Sequence, residues 1–119
     1  MTPTPKHLRM TEAELQKSVE QLLTVCGWSW HHETDSRRSK AGFPDLCAFR
    51  DRVIFIELKS DKGRVRPAQR EWLDGLKAAG AEVHLWRPAD WHDGTIRRVL
   101  ERRKPWSPAD EIYAQKMGR

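Results

Sequence analysis

The sequence is poor in the residue patterns that build disulfide scaffolds and zinc sites. It contains two cysteines, Cys26 and Cys47, which are too few for a disulfide framework and lie in apolar patterns that favour packing. Its five histidines lack the paired spacing of zinc ligands. No glycine-rich phosphate loop follows a predicted strand, and no serine or cysteine is placed with a histidine for covalent catalysis. These absences argue against a disulfide-rich secreted protein, a zinc finger, a P-loop enzyme and a nucleophilic hydrolase.

Long apolar runs are also absent. No run approaches the roughly 18 residues of a membrane span, and the first ten residues lack the apolar core of a signal peptide. We therefore expect an intracellular, cytoplasmic protein with no membrane partner. The 119 residues suffice for one domain with a single core. We place this domain at 11–104, between a flexible leader at 1–10 and a C-terminal tail at 105–119.

Acidic residues are the minority among the charged ones. Lysine and arginine number 22 against 17 acids, which gives a net charge of +5. This balance favours an anionic partner such as nucleic acid, although many small soluble proteins are mildly basic without one. Two groups of cations flank the most apolar part of the chain. The candidates for contacts with DNA phosphates are Arg37, Arg38 and Lys40 before it, and Lys62, Arg64 and Arg66 after it. For the first group a solvated loop is the alternative.

One predicted β-hairpin carries the strongest structural signal. Two apolar runs, Leu46 to Phe49 and Val53 to Leu58, are joined by Arg50-Asp51-Arg52. The second run is almost wholly apolar until its end, as expected for a strand that is covered on both faces. Because residues two apart on a strand share a face, Glu57 and Lys59 are expected to point the same way.

The register of this hairpin decides whether Asp45 joins the other two. A three-residue loop opposes Phe49 to Val53 and, by counting back, Asp45 to Glu57, whereas a two-residue loop would turn Asp45 to the opposite face. We predict the three-residue loop or a bulge, which places the two carboxylates about 5 Å apart at their Cβ atoms. Two acids with a lysine beside them suit a divalent cation with oxygen ligands and a phosphate group.

A helix is predicted to begin at Thr11. Thr11 and Glu14 form a capping-box pattern, in which the Glu14 side chain reaches back to the backbone of Thr11. Glu12 lies one turn before Gln16 on a shared face. It is therefore free to face the hairpin.

The remaining elements surround the hairpin in sequence. We predict a strand at Trp28 to His32, a second helix opened by Pro67, and a strand at Glu82 to Trp86. Pro88 to Gly94 is expected to be a loop, followed by a short helix capped by Thr95. The order is roughly α-β-β-β-α-β-α, which predicts an α/β fold.

The hairpin residues resemble a known nuclease signature. Pro44-Asp45 followed by Glu57-x-Lys59 matches the PD-(D/E)xK pattern of restriction-endonuclease-like nucleases. With the later pattern Gly63-x5-Gln69-x2-Trp72, the segment is similar to the VRR-NUC family, which includes stand-alone phage and bacterial proteins. The similarity spans roughly Glu12 to Arg87. It implies a restriction-endonuclease-like core with a central mixed β-sheet flanked by helices.

The resemblance also implies roles for individual residues. The implied ligands of Mg²⁺ or Mn²⁺ are Asp45, Glu57, the carbonyl of Leu58 and, through water, Glu12. Lys59 would orient or activate the attacking water and offset charge on the phosphate. Gln69 would lie near the phosphate or water. The alternatives are that Glu12 only complements the helix dipole, that Glu14 takes its place, and that Gln69 is an ordinary exposed residue at a helix start.

On this resemblance we expect a metal-dependent, structure-specific endonuclease that hydrolyses DNA and leaves a 5′-phosphate and a 3′-hydroxyl. Small stand-alone relatives resemble homodimeric enzymes that cut branched DNA such as Holliday (four-way) junctions, and a dimer suits two symmetric cuts. Two alternatives stay open. One is a nuclease for ordinary duplex or single-stranded DNA in phage packaging or restriction, and the other is a non-catalytic DNA-binding module of the same fold.

Overall fold

A mixed four-stranded sheet organises the part of the chain that the computed structural model describes, residues 9–33, 41–104 and 115–118. The strands, in their order across the sheet, are β1 (Ser29–His32), β2 (Leu46–Phe49), β3 (Val53–Leu58) and β4 (Glu82–Trp86). The first three pair antiparallel, and β4 pairs parallel with β3. The helices are α1 (Glu12–Val25), α2 (Pro67–Ala78), α3 (Pro88–His92) and α4 (Thr95–Glu101). The predicted α/β architecture with a central mixed sheet is confirmed, and none of these described helices is long and apolar enough to cross a membrane.

Helix α1 begins with the predicted capping box. The Thr11 hydroxyl accepts the Glu14 N–H at 3.0 Å, and the Glu14 carboxylate accepts the Thr11 N–H at 3.0 Å. These bonds satisfy N–H groups that the first turn of a helix leaves without an intrahelical acceptor. The chain leaves the helix at Gly27, whose φ of 85° lies in the left-handed region that glycine adopts without strain.

The hydrophobic core lies between α1, α4 and one face of the sheet. Helix α1 contributes Leu15, Val19 and Leu23, which are fully buried at the spacing of one helical face. The strands and α4 contribute Leu46, Ala48, Ile54, Ile56, Leu58, Ile96 and Leu100. Because alternate residues of a strand point to opposite faces, Phe55 and Glu57 are directed to the other face of the sheet, where α2 packs.

The loop between β2 and β3 ties the sheet to the end of α4. The guanidinium groups of Arg50 and Arg52 lie over the buried indole of Trp28, 4.6 and 5.0 Å from its centroid. Arg50 donates to the carbonyl of Leu100 at 3.0 Å, and Arg52 donates to that of Val99 at 2.8 Å. These bonds satisfy carbonyl groups that the end of a helix leaves open, and they hold the hairpin loop in place.

The region after β4 differs from the prediction. The sequence predicts a loop at Pro88 to Gly94, and this prediction is wrong because α3 begins at Pro88. Proline suits the first helical position, since its φ is preset and its missing N–H is not needed there. Asp90 completes the helix start by accepting the Arg87 N–H at 2.8 Å.

The start of α4 also differs from the prediction. Thr95 lies inside the helix, and Gly94 takes the N-cap position with a φ of 85°. The Asp93 carboxylate accepts the Thr95 N–H at 2.8 Å, which is the capping role that the sequence assigned to the threonine hydroxyl. The order of elements is therefore α-β-β-β-α-β-α-α.

Several sequence predictions fall outside the described residues. They are most of the leader at 1–10, most of the tail at 105–119, and the cations Arg37, Arg38 and Lys40.

Candidate metal and phosphate site

The hairpin brings Asp45 beside Glu57. In the observed register Phe49 is opposite Val53, as the predicted three-residue loop requires, and the pairing continues to the residue after Asp45. The Oδ2 atom of Asp45 accepts the Leu58 N–H at 2.9 Å. This bond turns the carboxylate towards β3, where it is close enough to hydrogen-bond to the carboxyl of Glu57. The predicted convergence of the two acids is therefore present.

Glu57 is a buried carboxyl group with an unsatisfied oxygen. The residue is 1% exposed, and its Oε2 atom has no hydrogen-bond partner among the described residues. Its Oε1 atom lies 3.5 Å from Nε2 of Gln69, which is a long contact. Burial, followed by the hydrogen bond and the charge of Asp45, raises the pKa of Glu57, and the charge of Lys59 opposes this rise; the net result is a pKa of about 9. With only these neighbours, the carboxyl favours its protonated form.

This donor set suits a hard divalent cation. Mg²⁺ takes oxygen ligands and keeps several waters, so one or two carboxylates are enough to bind it. Glu57 offers a buried oxygen that no described donor occupies, and Asp45 adds a second carboxylate beside it. Within the described ranges, no group of three or more acidic, histidine or cysteine side chains is arranged to hold a metal ion. A cation here would therefore complete its coordination with water and main-chain oxygen, for which the Leu58 carbonyl is the predicted source.

Lys59 is held close to the two acids. The residue is 7% exposed, and its N–H donates to the Trp86 carbonyl at 3.0 Å, which continues the pairing of β3 with β4. Its positive charge lowers the pKa of Glu57, against the effect of burial. Its aliphatic stem packs beside Gly63, where an added Cβ would lie 3.5 Å from the Lys59 Cδ atom. A nearly buried ammonium group beside two carboxyls is available to a phosphate that binds there.

The two candidate glutamates in α1 have different surroundings. Glu14 is occupied by the capping box, and its pKa lies below the ordinary value because the Thr11 backbone N–H donates to its carboxylate. Glu12 is exposed in the first turn, and its charge raises the pKa of Glu57. The charge of Glu12 thus acts on the acidic pair, and this supports the choice of Glu12 over Glu14.

Gln69 combines a structural contact with a contact to the site. Its Oε1 atom accepts the Arg66 N–H at 2.9 Å at the start of α2, and its Nε2 atom faces Glu57. The amide is therefore anchored by its oxygen and presents its nitrogen to the acidic pair. Gln69 is therefore a helix-start residue through its Oε1 atom and lies beside the acidic pair through its Nε2 atom.

The segment before Asp45 packs against the start of α2. Gly42 has a φ of 88°, and a Cβ there would come within 2.3 Å of the Ala68 main chain, so only glycine fits. Phe43 makes an edge contact with Trp72, with 5.2 Å between the ring centroids. Gly42 and Phe43, which precede Pro44 and Asp45, thus set the distance between α2 and the two acids, Asp45 and Glu57.

The second group of predicted DNA-binding cations lies next to the site. Lys62, Arg64 and Arg66 are exposed in the loop between β3 and α2, directly after Lys59. Exposed cations in the loop that follows Lys59 are compatible with phosphate contacts, and the contacts themselves stay a prediction.

The sequence predictions miss two residues beside the site. The Glu33 N–H donates to the Asp45 carbonyl at 2.9 Å, so Glu33 lies alongside Asp45 at the end of β1. Arg87 directs Nη1 to the carbonyls of Ser60 and Gly63 at 2.7 and 2.8 Å. The sequence does not predict the Glu33 contact, because no short turn joins β1 to β2 and fixes their register. It does not predict the Arg87 contacts, because the pair Arg87-Pro88 indicates only where a strand ends. The sequence signals neither contact because each joins segments far apart in the chain.

Comparison with known proteins points to the same part of the chain. A family model described as the VRR-NUC domain matches residues 5–90, which is more than half of the sequence. A solved structure described as a "VRR_NUC domain protein" aligns with a TM-score of 0.57 and 23% identity, over 75% of this chain and 87% of that chain. At this identity the likeness shows a shared fold. A search of curated proteins finds no match.

Proposed function

The chain belongs to the VRR-NUC family of nuclease domains, and on that premise we propose that it is a metal-dependent endonuclease that hydrolyses DNA phosphodiester bonds. The observation that carries this proposal is the buried Oε2 atom of Glu57, which has no described partner and lies beside Asp45 and Lys59. A buried polar atom without a partner costs roughly 1–3 kcal/mol. Its presence next to a second acid supports a ligand that binds both.

The residues that would hold Mg²⁺ or Mn²⁺ are Asp45, Glu57, the carbonyl of Leu58 and, through water, Glu12. Bound there, the cation would polarise the phosphate and lower the pKa of water. Asp45 is held ready for this role, because the Leu58 N–H fixes one of its oxygens at 2.9 Å.

Lys59 and Gln69 would act on the phosphate and on the attacking water. The ammonium group of Lys59 would orient the water by a hydrogen bond and offset the negative charge that builds on the phosphoryl oxygens. Its burial strengthens this effect, because water screens it little. The Nε2 atom of Gln69, 3.5 Å from Glu57, would hold a phosphate oxygen or the water in place.

Cations on both sides of the hairpin would bind the DNA backbone. We assign this role to Lys62, Arg64 and Arg66 after the hairpin, and to Arg37, Arg38 and Lys40 before it. Phosphate contacts position a duplex without reading its sequence, so these residues would contribute affinity rather than base specificity.

Branched DNA is the substrate that we propose, with a homodimer as the active form. A four-way junction has two equivalent strands to cut, and two copies related by a twofold axis can present two sites to them. The support for this choice is the resemblance to small stand-alone relatives.

The catalytic proposal is tested with Glu57→Gln and Lys59→Met, which keep the shapes of the side chains. With Mg²⁺ and DNA, each variant is expected to lose at least about a hundredfold in cleavage rate while still binding DNA. Glu71→Gln and Lys77→Met, which change exposed residues of α2, are matched controls and should retain activity. Undiminished cutting by the Glu57 or Lys59 variant would reject the assignment.

The substrate is tested by giving the unmodified chain a four-way junction, a flap and a linear duplex of one sequence. Preferential, paired cutting of the junction is the expected result. Equal cutting of linear duplex would favour the packaging or restriction alternative. Tight binding without cutting in Mg²⁺ or Mn²⁺ would favour the non-catalytic module.

A further inference from the structure

The loop from Ser60 to Arg66 joins Lys59 to α2 and has no regular secondary structure beyond one turn. It carries three exposed cations of the proposed DNA-binding surface, and it begins at the residue after Lys59. A loop without ladder hydrogen bonds opens locally at low cost unless other contacts hold it. The contacts that hold this loop therefore also influence the position of the Lys59 side chain.

Arg87 supplies the main contacts of this kind. Its Nη1 atom donates to the Ser60 carbonyl at 2.7 Å and to the Gly63 carbonyl at 2.8 Å, and it lies 3.4 Å from the Asp61 carbonyl. The Gly63 N–H donates to the Ser60 carbonyl at 3.2 Å, which closes the turn. Hydrogen bonds from a charged donor are stronger than those between neutral groups, so one guanidinium group holds both ends of the turn.

Arg87 is itself fixed by the elements on either side of it. Trp86, the last residue of β4, is opposite Leu58, and its carbonyl accepts the Lys59 N–H. On the other side, the Arg87 N–H donates to Asp90 at 2.8 Å, and Pro88 is fully buried at the start of α3. The guanidinium group thus extends from a rigid junction between strand and helix to a loop with no ladder of its own.

Closure of the turn places Gly63 against the Lys59 side chain. A Cβ on Gly63 would lie 2.9 Å from the Ser60 hydroxyl and 3.5 Å from the Lys59 Cδ atom. The main chain of Gly63 therefore forms one wall of the space that the lysine stem occupies. If the turn opened, this wall would move away, and the ammonium group could leave the acidic pair.

We propose that Arg87 is a positioning residue, which closes the loop after β3 and thereby holds the Lys59 side chain beside Glu57 and Asp45. The inference rests on the proposed nuclease function for its catalytic consequence, whereas closure of the loop is a property of the chain alone. Displacement of a reacting group by about 1 Å can reduce a rate by about a hundredfold. Arg87 therefore acts on catalysis without touching DNA or metal.

Loop closure is tested by limited trypsin digestion of the folded chain, followed by mass spectrometry of cuts after Lys62 and Arg64. Arg87 precedes a proline, where trypsin does not cut, so Arg87→Met removes no cleavage site near the loop. We expect Arg87→Met to be cut at these two positions at least about tenfold faster than the unmodified chain. Arg87→Lys, which can still donate to both carbonyls, should be intermediate. Arg97→Met, which removes an exposed arginine from α4, should be cut there at the unmodified rate.

The catalytic consequence is tested by steady-state cleavage below the unfolding temperature of every variant. Arg87→Met should lower kcat by about ten- to a hundredfold, because the lysine moves, and should also raise KM, because the loop carries Lys62, Arg64 and Arg66. Arg87→Lys should restore part of kcat. A loss of fold would instead lower the active fraction and the protease resistance of the whole chain. An unchanged loop cutting rate, or faster cutting with an unchanged kcat, would overturn the proposal. An inactive unmodified chain would reject the nuclease function, and the loop closure would then be decided by the digestion rates.

Discussion

At Glu57, burial and the neighbouring Asp45 carboxylate favour the protonated form, and Lys59 only partly offsets them. The pKa therefore lies near 9 in the folded chain, against an ordinary value of 4.5. A folded acid with a raised pKa keeps a proton that the unfolded chain releases, so stability falls as the pH rises from about 4.5 towards 9. A cation that binds the ionised pair in the folded state alone would restore stability over the same range.

We predict that, with divalent metals chelated, Glu57→Gln melts at a higher temperature than the unmodified chain at pH 8 and at nearly the same temperature at pH 4.5. The neutral amide has no proton to lose, so its stability does not follow this pH dependence. A gain of about 4 °C or more is expected, since about 1 kcal/mol moves the Tm of a domain this small by roughly 4–8 °C. Addition of Mg²⁺ should raise the Tm of the unmodified chain, more at pH 8 than at pH 5, and should leave Glu57→Gln nearly unchanged.

Thermal unfolding followed by circular dichroism measures each of these shifts. Glu71→Gln is the control, because it removes an exposed carboxylate of α2 and should show neither effect. If Mg²⁺ stabilised both the unmodified chain and Glu57→Gln equally at pH 8, the cation would bind elsewhere.

At the scale of the elements, the site depends on how closely α2 approaches the hairpin. The contact is made by Gly42, where a Cβ would come within 2.3 Å of the Ala68 main chain and 2.7 Å of the Gln69 nitrogen. These main-chain atoms of Ala68 and Gln69 belong to the first turn of α2 and cannot rotate away as a side chain could. A larger residue would therefore move the whole segment that precedes Asp45.

We predict that Gly42→Ala destabilises the chain by about 2 kcal/mol or more, because it combines a main-chain clash with a left-handed φ of 88°. It should also slow cleavage, since Gln69 and Asp45 move apart. Gly75→Ala adds the same methyl group within α2, where an added Cβ meets nothing within 4 Å. This control should stabilise the chain by about 0.5–1 kcal/mol, because alanine is the better helix former. Urea unfolding measures both values, and a tolerated Gly42→Ala would show that the close approach is not needed.

The parts of this arrangement that the sequence predicted are those set by local rules. The hairpin register follows from the length of one loop, and the capping box at Thr11 follows from residues three apart. Helix α3 was missed because five residues are too few to show a helical period, although Pro88 and Asp90 form a helix start. Glu33 and Arg87 were missed for a different reason. Their contacts join segments that only the tertiary fold brings together, and no spacing along the chain records them.

At the scale of the whole molecule, the net charge is +5, but the individual cations are not equally free to bind DNA. Two cations of α4 have acidic neighbours, since Arg97 forms an ion pair with Glu101 and the pKa of Asp93 is lowered by hydrogen bonds from Thr95 and by the charge of Arg98. Lys62 and Arg64 are exposed in the loop that follows Lys59. Position rather than total charge should therefore decide which cations DNA uses.

The salt dependence of DNA binding distinguishes an effect of the position of a cation from an effect of the net charge of the protein. Each lysine or arginine that neutralises a phosphate of duplex DNA contributes about 0.9 to the slope of log K against log salt concentration. We predict that Lys62→Met with Arg64→Met lowers the magnitude of this slope by about 0.9 for each phosphate that is no longer neutralised, whereas Arg97→Met with Arg98→Met leaves it nearly unchanged. Both double variants remove two positive charges, so a net-charge effect would shift them equally. Fluorescence anisotropy of a labelled four-way junction, measured from about 50 to 200 mM salt with divalent metals chelated, gives the slopes without cleavage. Equal slopes for the two double variants would place the DNA path away from the loop that follows Lys59.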